Sequence, residues 1–232
     1  MHDGLLGEVT CEQQKTLDVI SDRADTLSII ADNMQDASRI ETACTGTARG
    51  PATVEDIINT VRPTLERKAL VYDVALTFGV TDELPEVFCD PNEIGRVITN
   101  LTTDAIKASS DQVKVTFTAD PSRNDVTVSV NDDGPGLPPS ELQTLNGLFR
   151  DVGMSSQCRE KQFSLRRRIT RELVNLNFGE VSVSSESGVG NAFSFTLAVN
   201  NRPEIVQRSL ARLAQECNCR SGATMRLVVC SC

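Results

Sequence analysis

Asp90-Pro-Asn-Glu-Ile-Gly-Arg-Val-Ile-Thr-Asn-Leu-Thr-Thr-Asp-Ala-Ile-Lys-Ala-Ser109 is the stretch from which the fold of this 232-residue chain is read. An aspartate just before a proline is a helix start signal, and Ile94, Val97, Ile98, Leu101 and Ala105 follow at the spacing of one helix face. The pattern predicts a helix to about Ser109. Advancing about 100° per residue, Asn100, Asp104 and Lys107 fall roughly a quarter turn or more from the apolar stripe, at the rim of the core. An amide, a carboxylate and an ammonium on one strip suit a phosphate and a magnesium ion, which prefers oxygen ligands and retains waters. The plainer reading is a solvated face with an Asp104 to Lys107 pair.

Downstream, Val113 to Thr118 and Val126 to Val130 alternate in strand period around Asp120-Pro-Ser122 and predict a hairpin. The second strand runs directly into Asn131-Asp-Asp-Gly-Pro-Gly136, a turn whose glycines permit close backbone approach and whose acidic side chain can accept from an amino group. A helix is expected from near Ser140, a loop over Asp151 to Gln162, and a helix over Leu165 to Leu176 carrying Ile169, Leu173 and Val174. Strands Glu180 to Ser185 and Ala192 to Val199 flank Ser187-Gly-Val-Gly190. A short helix and a strand, Met225 to Val229, are expected beyond Asn201.

Upstream, Val54 to Leu70 reads as a helix with Pro63 marking a kink or early end. Tyr72, Val74, Leu76 and Phe78 then give a period-two strand, and Val87-Phe88 a short extended piece. Between Glu12 and Ile40 the residues Leu17, Ile20, Ala24, Leu27, Ala31 and Met34 form a heptad seam, which calls for a partner helix from this chain or a second copy. Thr45 to Pro51 reads as a linker. The expected architecture is α+β: a two-layer sandwich with helices on one face of a mixed sheet, preceded by a long helix. The expected divisions are 1–44, 51–200 and a C-terminal extension at 201–232.

The order of these pieces resembles the ATPase domain of sensor histidine kinases, the Bergerat-fold group shared with certain chaperones, topoisomerases and mismatch-repair ATPases. The segments that carry the likeness are Asn100-Leu-Thr-Thr-Asp-Ala-Ile-Lys107, Asp132-Asp-Gly-Pro-Gly136, Leu148-Phe149, Arg171-Glu-Leu-Val174 and Ser185-Glu-Ser-Gly-Val-Gly190. The resemblance covers roughly Pro51 to Val199, and the piece ending at Ser38-Arg-Ile-Glu41 looks like the end of the kinase dimerisation domain. It implies that ATP and magnesium are bound, with Asp132 accepting from the adenine amino group and Gly134 and Gly136 admitting the base. Asn100 and Lys107 would approach the phosphates and Asp104 the magnesium, with Asn100 nearby. Phe149, Gly188 and Gly190 complete the implied ATP site, and Asp151 to Gln162 would be its lid. The implied activity is transfer of the γ-phosphoryl group to a histidine outside this segment, in a two-component system with a response regulator and a homodimer formed through the N-terminal helix. The alternative is a nucleotide-poor scaffold that dimerises or docks signalling partners.

Departures from the family pattern bear on activity more than on fold. Asp104 stands where the family normally has asparagine and adds negative charge beside a triphosphate. Gln162, Ser164 and Arg166 hold the places of glycines whose bare backbone would approach phosphate, although Arg166, Arg167 and Arg168 bring positive charge there. His2, the single histidine, lies outside the family's acceptor motif.

Bulk properties narrow the classes further. A net charge of -9 and no Trp disfavour nucleic-acid binding. No run of apolar residues reaches membrane-spanning length and no secretory signal opens the chain, so a cytoplasmic protein without membrane contact and with reduced thiols is expected. Cys217 with Cys219 and Cys230 with Cys232 form two C-x-C pairs that suit zinc by ligand type, although zinc sites usually space such pairs more widely.

Overall fold

The computed structural model describes residues 49–150 and 163–210, apart from Asp82, Arg202, Glu204 and Ser209. The heptad stretch, the expected loop at 151–162, the cysteine pairs and the strand at 225–229 lie outside the described residues. The elements in chain order are β1 (Gly50–Ala52), α1 (Val54–Val71), β2 (Ala75–Val80), β3 (Val87–Cys89) and α2 (Pro91–Ala108), then β4 (Gln112–Asp120), β5 (Asp125–Asp132), α3 (Pro139–Arg150), α4 (Phe163–Leu176), β6 (Val181–Glu186) and β7 (Gly190–Ala198). Five strands form one mixed sheet in the order β2-β4-β5-β7-β6, and β1 pairs with β3 separately. Within that sheet β2 runs parallel to β4 and the other neighbours are antiparallel.

Alternation dictates which face is buried. Val126, Val128 and Val130 project from the central strand β5 to one side and are inaccessible to solvent. Register sets Phe117 and Phe195 beside Val128, and Val115 and Phe193 beside Val130. The helices cover this side, with α2 against β4 and β5, and α1 and α4 against α2. Each fully buried Val or Phe contributes about 1.5–3 kcal/mol relative to exposure. The opposite face carries Thr116, Thr127, Ser129 and Ser194 and is hydroxyl-rich.

At the start of α2, Asp90 caps the helix, accepting from the Asn92 N–H at 2.9 Å, and Pro91 occupies the first turn. Asn177 accepts from the Asp90 N–H at 2.7 Å and donates to Glu93 at 2.8 Å, which ties the helix start to the end of α4. The apolar stripe Ile94, Val97, Ile98, Leu101 and Ala105 is buried as its periodicity requires. Beyond β7 a helical turn begins, and its Arg208 Nη2 lies 2.8 Å from Oδ1 of buried Asp125.

Three local expectations are corrected. Helix α1 passes through Pro63 without ending, reaching Val71. Pro63 is exposed, while Ile57, Ile58, Val61, Leu65 and Ala69 are buried before and after it, so packing offsets the lost backbone hydrogen bond. The strand expected from Tyr72 starts at Ala75, because Tyr72 closes α1 and Asp73 takes a left-handed conformation at φ 55°. The end of the expected linker is strand β1, held by pairing Pro51 with Phe88.

The two faces of β4 provide the check. Phe117→Ala is expected to lower unfolding free energy by about 3–5 kcal/mol in urea denaturation. Thr118→Ala, on the exposed face, should change it by no more than about 0.5 kcal/mol.

Candidate functional site

Strand β5 ends in a residue that breaks its own pattern. After Val126, Val128 and Val130, the next position on the core side is Asp132, which is 7% exposed. Its cross-strand neighbours are Val113 on β4 and Asn191 on β7, so the apolar rows of the sheet finish in a polar one. Oδ1 of Asp132 accepts from the Gly134 N–H at 3.0 Å and from Nδ2 of Asn191 at 3.0 Å, and Oδ2 is 3.2 Å from the same amide nitrogen. Burial pushes the Asp132 carboxyl above its ordinary value, against the pull of those donors, and the neighbouring Asp133 adds to the push. A carboxylate held inside by neutral donors is suited to accept from a neutral N–H on a ligand. Oδ1 of Asn191 is buried without a hydrogen-bond partner among the described residues.

Two glycine turns are stitched together beside it. The Gly188 N–H donates to the Pro135 carbonyl at 2.9 Å, and the Leu137 N–H to Oγ of Ser185 at 2.7 Å. A Cβ at Gly134 would run into the Ala108 carbonyl oxygen, one at Gly136 into that of Glu186, and one at Gly190 into that of Asp132. The room these glycines leave is therefore taken first by the chain's own backbone, bringing the end of α2, the end of β5 and the turn between β6 and β7 into contact. Gly136 and Gly190 also have positive φ, 75° and 129°. Gly188, at φ 78°, faces open space.

The polar strip of α2 leads into this corner. Asn100 and Asp104 are half-buried and Lys107 is exposed. Past the helix end, Asp133 accepts from the backbone N–H groups of Ser110, Asp111 and Gln112. Although partial desolvation pushes upward, these donors hold the Asp133 carboxyl below its ordinary value. Oδ1 of Asp104 accepts from Nη1 of Arg166 on α4 at 2.7 Å, and the two side chains are 21% and 15% exposed. The negative charge expected at position 104 is thus paired within the protein.

The structure brings Asn100, Asp104 and Lys107 onto one strip and Asp132, Gly134, Gly136, Gly188 and Gly190 into one corner at its end. Phe149 belongs to α3, and its side chain lies outside the described residues. Asn191 was not singled out from the sequence. Its signal was the alternation Asn191, Phe193, Phe195, Leu197, which places it on the core side next to Asp132. A concavity of about 540 Å³ is lined by Asp132, Asp133, Gly190 and Asn191 of this corner and by Lys114 and Ser184 of the adjoining strands.

Residues 89–201 match the family described as histidine kinase-, DNA gyrase B-, and HSP90-like ATPase. The adaptive-response sensory kinase SasA of Synechocystis sp. is 29% identical over 151 residues, which are 64% of this chain and 39% of that protein. Sporulation kinase E of Bacillus subtilis is 26% identical over 141 residues, 60% of this chain and 18% of its own length. Among solved structures, full-length ShkA in complex with AMPPNP superposes with a TM-score of 0.62 at 22% identity, covering 83% of this chain and 40% of that one. The catalytic domain of the histidine kinase ThkA, nucleotide free, gives 0.53 at 20% identity, covering 66% of this chain and 97% of that one. The two structural likenesses speak to the fold.

The raised Asp132 carboxyl has a consequence for stability. The folded state binds the proton more tightly than the unfolded chain, so the contribution of this group is fully present below the ordinary value of 3.8 and is lost as pH rises through the raised folded value. Asp132→Asn should therefore gain melting temperature relative to the parent on going from about pH 3.5 to about pH 7. A difference between parent and variant that stays constant across that range would contradict the assigned burial of charge.

Proposed function

We propose, from the match of residues 89–201 to the histidine kinase-, DNA gyrase B-, and HSP90-like ATPase family, that this chain binds ATP at the corner made by Asp132, Asn191 and the glycine turns, and donates the γ-phosphoryl group to a histidine on another segment. The chain spans 39% of SasA and 18% of sporulation kinase E, and the activity of the whole protein is part of this proposal. The observation that carries it is the buried Asp132 carboxylate, held by Asn191 and Gly134 at the end of the α2 strip. There it would accept from the exocyclic amino group of adenine. The phosphates would then lie toward Asn100 and Lys107.

Among the described residues no group of three or more His, Cys, Asp or Glu side chains is placed to hold a metal. A magnesium ion would be held by Asp104, with Asn100 nearby and with oxygens of phosphate and water, as this ion commonly is. When bound it neutralises charge on the transferring phosphoryl group. The chain's own part is to hold the base and present the terminal phosphate, so that the bond to the ADP oxygen breaks as one to an imidazole nitrogen forms. Positioning and charge neutralisation supply most of the rate. We place the protein in the cytoplasm as a dimer that passes the phosphoryl group on to a response regulator. Among the described residues no helix is long and apolar enough to cross a membrane. The likeness to SasA and sporulation kinase E favours this reading over a nucleotide-poor scaffold.

Titration with a fluorescent ATP analogue and magnesium should show saturable binding that Asp132→Asn weakens by about tenfold or more, as expected for loss of a hydrogen bond to a charged acceptor. A separately supplied acceptor-helix domain should be phosphorylated in trans. No binding at millimolar nucleotide, or a variant indistinguishable from its parent, would refute the proposal.

A further inference from the structure

The ion pair between Asp104 and Arg166 joins two helices that are distant in sequence and packed on one another. Both side chains are mostly withdrawn from solvent, and the bond is at the short end for a charged donor and acceptor. A pair in that setting is coupled, because removing one member leaves the other charge partly buried and unmatched. Asp104 sits on the same strip as Asn100 and Lys107, and Arg166 therefore reaches into the region proposed for the phosphates.

From this geometry we infer that Arg166 is a phosphate-binding residue of this chain and Asp104 its positioning residue, the two working as one charge-balanced unit. The inference rests on the ATP reading and deepens it. A guanidinium has several N–H donors, and the bond to Asp104 uses one of them, on Nη1. The others can bind phosphate oxygens, for which a planar fork of donors is well matched. The same contact removes the penalty of a carboxylate beside a triphosphate: Asp104 meets the incoming anion already neutralised. Asp104 would also be the residue to hold magnesium, and phosphate binding through Arg166 would persist when the metal is withheld.

The test compares the affinities of ATP and adenosine, with and without magnesium, for the parent chain, Arg166→Ala, Asp104→Asn and the double variant, each checked for parental circular dichroism. Arg166→Ala should weaken ATP by about tenfold or more, leave adenosine unchanged and make the remaining ATP binding strongly magnesium-dependent. Adding Asp104→Asn should recover part of the loss, because the bare carboxylate is gone. Asp104→Asn alone should also weaken ATP, by less than Arg166→Ala does, because the guanidinium loses its anchor. Equal losses for ATP and adenosine, or effects of the two substitutions that simply add, would overturn the inference while leaving the ATP reading intact. Failure of the parent to bind either ligand would overturn both.

Discussion

The Asp132 carboxylate is buried where an apolar residue would continue the pattern of β5, and most of the site follows from keeping it there. Burying a charge is tolerated only where hydrogen-bond donors surround it. Gly134 supplies one from the turn, and Asn191 supplies another from the adjacent strand. For the turn to fold back on its own strand end it must pass close to Ala108, and for β7 to bring Asn191 alongside, Gly190 must lie against the Asp132 carbonyl. The glycines and the amide are thus consequences of one buried acceptor.

That constraint also fixes the position of α2. Asp133, next in sequence, gathers the backbone N–H groups just past the helix end. The strip bearing Asn100 and Asp104 is thereby brought to the corner, while the buried stripe of α2 sets its rotation over β4 and β5. In the proposed reading, base recognition and phosphate handling are connected by one helix of fixed length. The Arg166 contact brings α4 into the same frame.

Much of this was legible in residue order. The capped start and apolar stripe of α2, the hairpin of β4 and β5, and both glycine turns are local patterns with strong physical causes, and they stand where the sequence puts them. What escaped was settled by packing. Pro63 reads as a helix breaker, yet buried side chains on both sides of it carry α1 onward. Gly50 to Ala52 has no strand signal of its own and becomes one by pairing with β3. Asn191 was readable in principle from the alternation of β7, but its importance appears only when register sets it beside Asp132. The partner of Asp104 is 62 residues away, and no spacing rule reaches that far.

The most direct test of the account follows backbone amide resonances by NMR during titration with ATP. The signals of Gly134, Gly136 and Asn191 should move together and saturate at one affinity, while those of Thr127, Ser129 and Ser194 on the outer sheet face stay in place. Movement confined to the outer face, with the corner silent, would contradict the claim that the buried carboxylate reads the base.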